Sequence, residues 1–203
     1  MNSLIRLTKE ITLEDIETGK VSYAEAYQAQ IEEWILKPCH KLGSKDDKNT
    51  NYGIAILALL ILFFEHHAQY LEDQDSERKS GKFFKKGFSA FKEYLVSNNS
   101  NHNISKMTND DIDAFWKFSR NGLFHSMAIK DKFLIDSINL CRDSSFSFYS
   151  PLNVWLINPW NLTKELSGYV AYYIEIMAQN DSIRTNFESS FERLVVNPMM
   201  QFL

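Results

Sequence analysis

The 203-residue chain is poor in the residues that usually announce a chemistry or a special architecture. It has two cysteines, Cys39 and Cys141, far apart and with no CxxC spacing, which argues against a disulfide-built scaffold and a cysteine zinc site. Free thiols in a reducing cytosol follow, and the expected location is cytoplasmic. Four prolines and seven glycines are too few for a collagen-like or linker-rich chain, and no Walker-type loop, GxGxxG or GxSxG is found. Positive charge is not in excess: the formal net charge is −4, so contact with nucleic acid must come from a local patch. The longest apolar run, Ile54 to Phe64, is eleven residues, whereas a membrane span needs about twenty. It reads as a buried core helix, and no membrane partner is expected. The first residues lack a basic start followed by an apolar block, so no signal peptide is expected.

What the chain has in quantity is aromatic surface: fifteen Phe, nine Tyr and four Trp, a payload that builds a globular core. Most of it recurs at helical spacing. Ser22 with Glu25 forms a capping box, followed by Tyr27, Ile31, Trp34 and Ile35, and Pro38 is expected to end that helix. A long helix is expected from about Tyr52 to Asp73. A third carries Phe83, Phe84, Phe88, Phe91, Tyr94 and Leu95. Thr108 and Asp111 mark the start of a fourth, through Ile112, Phe115 and Trp116. Residues from about 132 to 157 are β-branched and aromatic and read as a small β-hairpin, or two short strands. Helix returns from Leu162 to Met177 and again from about Asp181 to Val195. The expected fold is one mainly α domain over 1–203: a core of about 22–178, a hairpin inserted after the fourth helix, and a C-terminal helix of about 181–195.

Arg120-Asn121-Gly122-Leu123-Phe124-His125 is the stretch whose chemistry suggests a reaction. Arginine holds phosphate oxygens through a two-pronged set of donors. Histidine moves protons near neutrality because its free pKa is about 6.5. RNA carries its own nucleophile, the 2′-hydroxyl, so these groups would suffice without a metal. His125 would act as general acid or base, Arg120 would stabilise charge on phosphorus, and Asn121 would orient the phosphate or the imidazole. Five residues on a regular helix correspond to about 140° of rotation, so Arg120 and His125 cooperate only where the helix breaks or where two subunits meet. Gly122 supplies a natural break. The plainer alternative is a helix end, with Arg120 complementing the dipole, Asn121-Gly122 as a C-cap and His125 on the surface.

At the end of a core helix in a helical bundle, this motif resembles the signature of the HEPN superfamily: Arg, four to six residues, then His, with Asn beside the Arg. The resemblance covers the architecture from about Tyr52 to Met177 and six residues in detail. It implies a HEPN-like helical bundle working as a homodimeric, metal-independent endoribonuclease, with 2′,3′-cyclic phosphate and 5′-hydroxyl products, in defence or beside an antitoxin partner. It equally admits a non-catalytic module that binds a nucleotide or a partner protein. Ser126-Met127 stands where some members carry a further residue and then Tyr.

Three other clusters invite a role. Glu65 is expected to face Arg120 as a supporting acid. Adjacent His66 and His67 diverge by about 100° on a helix and do not suit one metal ion, so neither metal nor cofactor is expected. Lys82, Lys85 and Lys86 share a helix face and offer a local site for an RNA backbone, against the plainer reading of a solvated face over the Phe-rich core. Trp155 and Trp160 flank Asn158-Pro159 and are expected to pack the hairpin onto the next helix.

Overall fold

The computed structural model describes residues 5–43, 50–98, 103–119, 132–136 and 139–201. Each of three helices starts where a Ser or Thr meets an acid three residues on, the two side chains bonding each other's backbone N–H. These are α1 (Leu13–Glu17) with Thr12 and Asp15, α2 (Tyr23–Ile31) with Ser22 and Glu25, and α6 (Asn109–Lys117) with Thr108 and Asp111. The first was not anticipated, although Thr12-Leu13-Glu14-Asp15 carries the same signature.

Pro38 does not end its helix. It lies in the first turn of α3 (Lys37–Gly43), which continues from α2 through a π-helical turn, Glu32–Leu36. A helical proline lacks an N–H and drives its ring against the carbonyl four residues back. The wider turn, in which the Lys37 N–H bonds Glu32 O, accommodates both problems just ahead of the ring. The device recurs at the C-terminus. There α8 (Asp181–Phe191) passes through a π turn, Glu192–Val196, into α9 (Asn197–Met200), which contains Pro198.

The central helix α4 (Thr50–Glu72) packs on α3, α5 (Ser80–Ser97), α7 (Pro159–Gln179) and α8. Within it, Tyr52–Glu72 is long and apolar enough to cross a membrane by length and composition alone. In the fold Ile56, Leu57, Leu60, Phe63, Phe64 and Ala68 are fully buried against these neighbours. Its crossing with α5 is close at Gly87, where the Phe64 carbonyl occupies the space a Cβ would need. From there an aromatic layer runs across the molecule: Phe64 on Phe88 (5.1 Å between centroids), Phe88 on Phe115 (5.3 Å), and Phe115 on Phe133 (5.3 Å) and Phe146 (5.6 Å).

Instead of a hairpin alone, the chain forms a three-stranded sheet of order β1-β3-β2. Antiparallel β2 (Phe146–Tyr149) and β3 (Val154–Ile157) make the expected hairpin, and β1 (Phe133–Ile135) adds in parallel to β3. Phe133, Phe146 and Ile157 face the helical core and are fully buried. Trp155 is buried in the sheet, and Trp160 on α7 packs against Gly43 and Gly53, so the two indoles tie sheet and helices together. The architecture is mainly α with a small sheet.

Candidate functional site

The Arg120–His125 motif, and with it Arg120, Asn121 and His125, lies outside the described residues. Its approach and its exit are described. Helix α6 is fixed to α5 by Phe115 and Trp116, both on Phe84, and by an ion pair between Lys85 and Asp113 (2.8 Å). Its pattern changes at Phe118 and Ser119, which are π-helical. Ser119 is buried, and its hydroxyl finds no partner among the described residues. The chain rejoins the described fold at Lys132 and β1, where Phe133 touches Phe118 (5.9 Å). The described residues on either side of the motif therefore meet at one place in the core.

Glu65 is half-buried on α4 and accepts a hydrogen bond from the Ser76 hydroxyl (2.9 Å), which ties the end of α4 to the loop before α5. Of the three lysines on α5, Lys85 is engaged by Asp113 and Lys86 by Glu72, while Lys82 is exposed. Two of the three charges in the basic stretch are thus countered by carboxylates.

His66 and His67 do diverge. His66 bonds the Tyr70 hydroxyl one turn on (3.1 Å). His67 is fully buried between two phenols, Nδ1 at 3.0 Å from Tyr27 and Nε2 at 2.7 Å from Tyr169, and stacks on Phe63. A neutral imidazole donates through one nitrogen and accepts through the other, so one phenol accepts from the ring and the other donates to it. Burial pushes His66 down to about 4 and, with the nearby His66, His67 down to about 3. Both rings are neutral near neutrality, and His67 serves as polar mortar between α2, α4 and α7. Sequence reasoning missed this network because His67 meets partners 40 and 102 residues away. Among the described residues no group of three His, Cys, Asp or Glu could hold a metal.

Two carboxylates were also missed. Asp136 is buried and accepts the backbone N–H groups of Leu140 (2.8 Å) and Cys141 (2.6 Å), closing the turn after β1. Glu165 on α7 is pushed up to about 7 by burial, partly offset by hydrogen bonds from the Ser145 hydroxyl and N–H. It is a titratable group near neutrality, but its partners belong to a turn rather than a cleft. The Cys39 thiol borders an open cleft with His40 and Trp160, yet burial pushes it up to about 12, which leaves it without nucleophilic character at neutral pH.

A second cleft, of about 320 Å³, lies where α6, β1 and the β2–β3 hairpin meet. Lys106 and Lys132 stand at its rim, and Phe148 and Trp155 form its apolar wall. Lys132 is the first described residue after the motif segment, and its carbonyl accepts the Trp155 N–H (2.6 Å).

Comparison with models of known protein families, with curated proteins and with solved structures finds no match.

Proposed function

We propose that the chain is a metal-independent endoribonuclease of the HEPN type, a homodimer in which Arg120 and His125 cut RNA to 2′,3′-cyclic phosphate and 5′-hydroxyl ends. The observation that carries the reading is the change to π-helical geometry at Phe118–Ser119, directly ahead of Arg120. A regular helix would turn residues five apart to different faces, so the reading calls for a departure from regular geometry near the motif, and the described part of the helix departs from it immediately before Arg120. Turns of this kind are frequent at functional sites. The helix that precedes the motif in the chain is held by a buried aromatic layer.

In this mechanism His125 takes the proton from the 2′-hydroxyl as it attacks phosphorus, or delivers one to the departing 5′-oxygen. Within a dimer the two histidines of a composite cleft divide these roles. Arg120 stabilises the charge that builds on the phosphorane, and Asn121 orients the phosphate or the ring. An antitoxin or other protein would restrain the activity in a cell. A second reading, a non-catalytic HEPN-type module that binds a nucleotide or a protein, is favoured by Ser126-Met127 at the place of the Tyr found in some members.

Incubation with total RNA in EDTA tests the reading. Fragments ending in cyclic phosphate are expected, and His125→Ala is expected to abolish them at nearly unchanged melting temperature. A folded dimer that leaves RNA intact would select the binding module. A large loss of stability in His125→Ala would make that residue structural.

A further inference from the structure

We propose that the cleft between Lys106, Lys132 and Phe148 binds one nucleotide of a single-stranded RNA, its base on the Phe148 ring and its phosphate between the two ammonium groups. Its use in turnover rests on the ribonuclease reading; the binding itself does not.

The wall of the cleft is built to hold an aromatic face toward solvent. Phe148 is 41% exposed, unusual for a large apolar ring in a strand, while its neighbour across the sheet, Trp155, is 3% exposed. The two rings meet in a T-shaped arrangement (5.4 Å, 64°), which fixes Phe148 without stacking on it. Trp155 is fixed in turn, through the Asp111 carboxylate on its side chain and the Lys132 carbonyl on its backbone N–H. One Asp111 oxygen, Oδ2, accepts from the Thr108 N–H (2.9 Å) and hydroxyl (2.8 Å), which ties this lining carboxylate to the α6 cap. The ring of Phe148 is thus the end of a rigid chain that starts at the α6 cap.

The rim supplies the rest of a nucleotide site. Lys106 and Lys132 are exposed and neither forms an ion pair within 4.0 Å of a described carboxylate, although the Lys132 charge acts at longer range on Asp111 in the same cleft. Lys85 and Lys86 on α5, by contrast, are held in direct ion pairs. Asn153, held at φ 53° beside the start of β3, places an amide with both donor and acceptor at the same rim. A flat ring, an amide and two cations match the face, edge and phosphate of a nucleotide. An acidic peptide would use the lysines and leave the ring and the amide idle. The volume, about 320 Å³, lies at the small end of ligand sites, which run from about 300 to 1,000 Å³. It therefore suits one nucleotide of a strand whose neighbours lie outside.

The test uses intact protein carrying His125→Ala, so that no cleavage confuses the signal, and a fluorescent twelve-nucleotide single-stranded RNA read by anisotropy. Phe148→Ala is expected to weaken binding about 10-fold or more, since stacking one base on an aromatic is worth a factor of about 5 to 150. Phe148→Trp is expected to restore it. Lys106→Gln with Lys132→Gln, both on the surface and remote from packing, is expected to lower the slope of log affinity against log salt by about 0.7, the release from one phosphate of a single strand. Unchanged affinity and salt slope in these variants would overturn the cleft while leaving the ribonuclease reading intact. So would a parent protein that binds no RNA, or that binds the duplex as tightly as the strand. If Phe148→Ala weakens binding but the unsubstituted protein leaves RNA uncut, the cleft stands and the catalytic reading falls.

Discussion

Gly87→Ala tests whether the crossing of α4 and α5 organises the rest of the fold. A Cβ built on Gly87 would lie 2.0 Å from the Phe64 carbonyl oxygen, 1.4 Å inside the 3.4 Å at which ordinary contact begins (3.4 − 2.0). It would also meet the Phe64 carbonyl carbon at 2.8 Å and its Cα at 3.1 Å. All three atoms are backbone, so no side-chain rotation relieves the clash and the helices must separate. Separation opens the layer in which Phe64 packs on Phe84, Phe88 and Phe91. Overpacking typically costs about 1–3 kcal/mol, and this geometry belongs at the upper end. Alanine returns about 1 kcal/mol of helix propensity, leaving a net loss of about 2 kcal/mol or more. For a chain of this length that lowers Tm by about 4–8 °C. Urea titration at constant m checks the same quantity as a lower midpoint. Gly53→Ala is the control: its nearest contact, 2.9 Å, is to the Ile135 side chain, which can turn, so a smaller drop is expected. A Gly87→Ala protein as stable as the parent would refute the claim that backbone contact sets the crossing.

Two further outcomes concern charge. His67, held down at about 3 against an ordinary 6.5, contributes stability that is present above pH 6.5 and lost as pH falls toward 3, because the unfolded chain takes up a proton that the native state refuses. Glu165, held up at about 7 against 4.5, does the opposite: its contribution is present below pH 4.5 and is lost as pH rises through 7. Between pH 6.5 and 4.5 the two slopes oppose, each near 1.4 kcal/mol per pH unit. Glu165→Gln should therefore lose stability more steeply on acidification than the parent, by about that slope, in urea titrations at pH 6.5 and 4.5; equal slopes would sink the assignment. Asp136→Ala strands the N–H groups of Leu140 and Cys141, at a cost of about 1–3 kcal/mol, with faster hydrogen exchange at those two amides as its local signature.

Local signals were legible in the sequence; distant partners were not. The capping boxes at Ser22 and Thr108 and the aromatic period of α5 each state their structure within a few residues. Pro38 misled because the rule that proline ends helices assumes a regular turn before it, and Glu32–Leu36 is not one. Strand β1 has three residues, too few to show a period, and pairs with β3 some twenty positions away. Asp111 reads as a cap, and nothing local says that the same carboxylate steadies Trp155 and the cleft wall. The residues Arg120, Asn121 and His125 could be named from sequence; which residues they meet is set by distant parts of the fold that no local pattern states.

The three π-helical stretches among the described residues weigh on that motif unequally. Those at Glu32–Leu36 and Glu192–Val196 lead directly to a proline, and the missing N–H explains them. The one that begins at Phe118–Ser119 has no proline within the next six residues, so relief of a proline clash is not its cause. Arg120 and His125 follow in the chain, a pair five apart whose side chains an unbroken α-helix would divide. At the same place the Ser119 hydroxyl is buried with no partner among the described residues. Departures of this kind from local consistency concentrate at functional sites. The described helix thus departs from regular geometry next to the stretch that residue chemistry singles out. That agreement makes His125→Ala in the RNA assay the experiment that decides most.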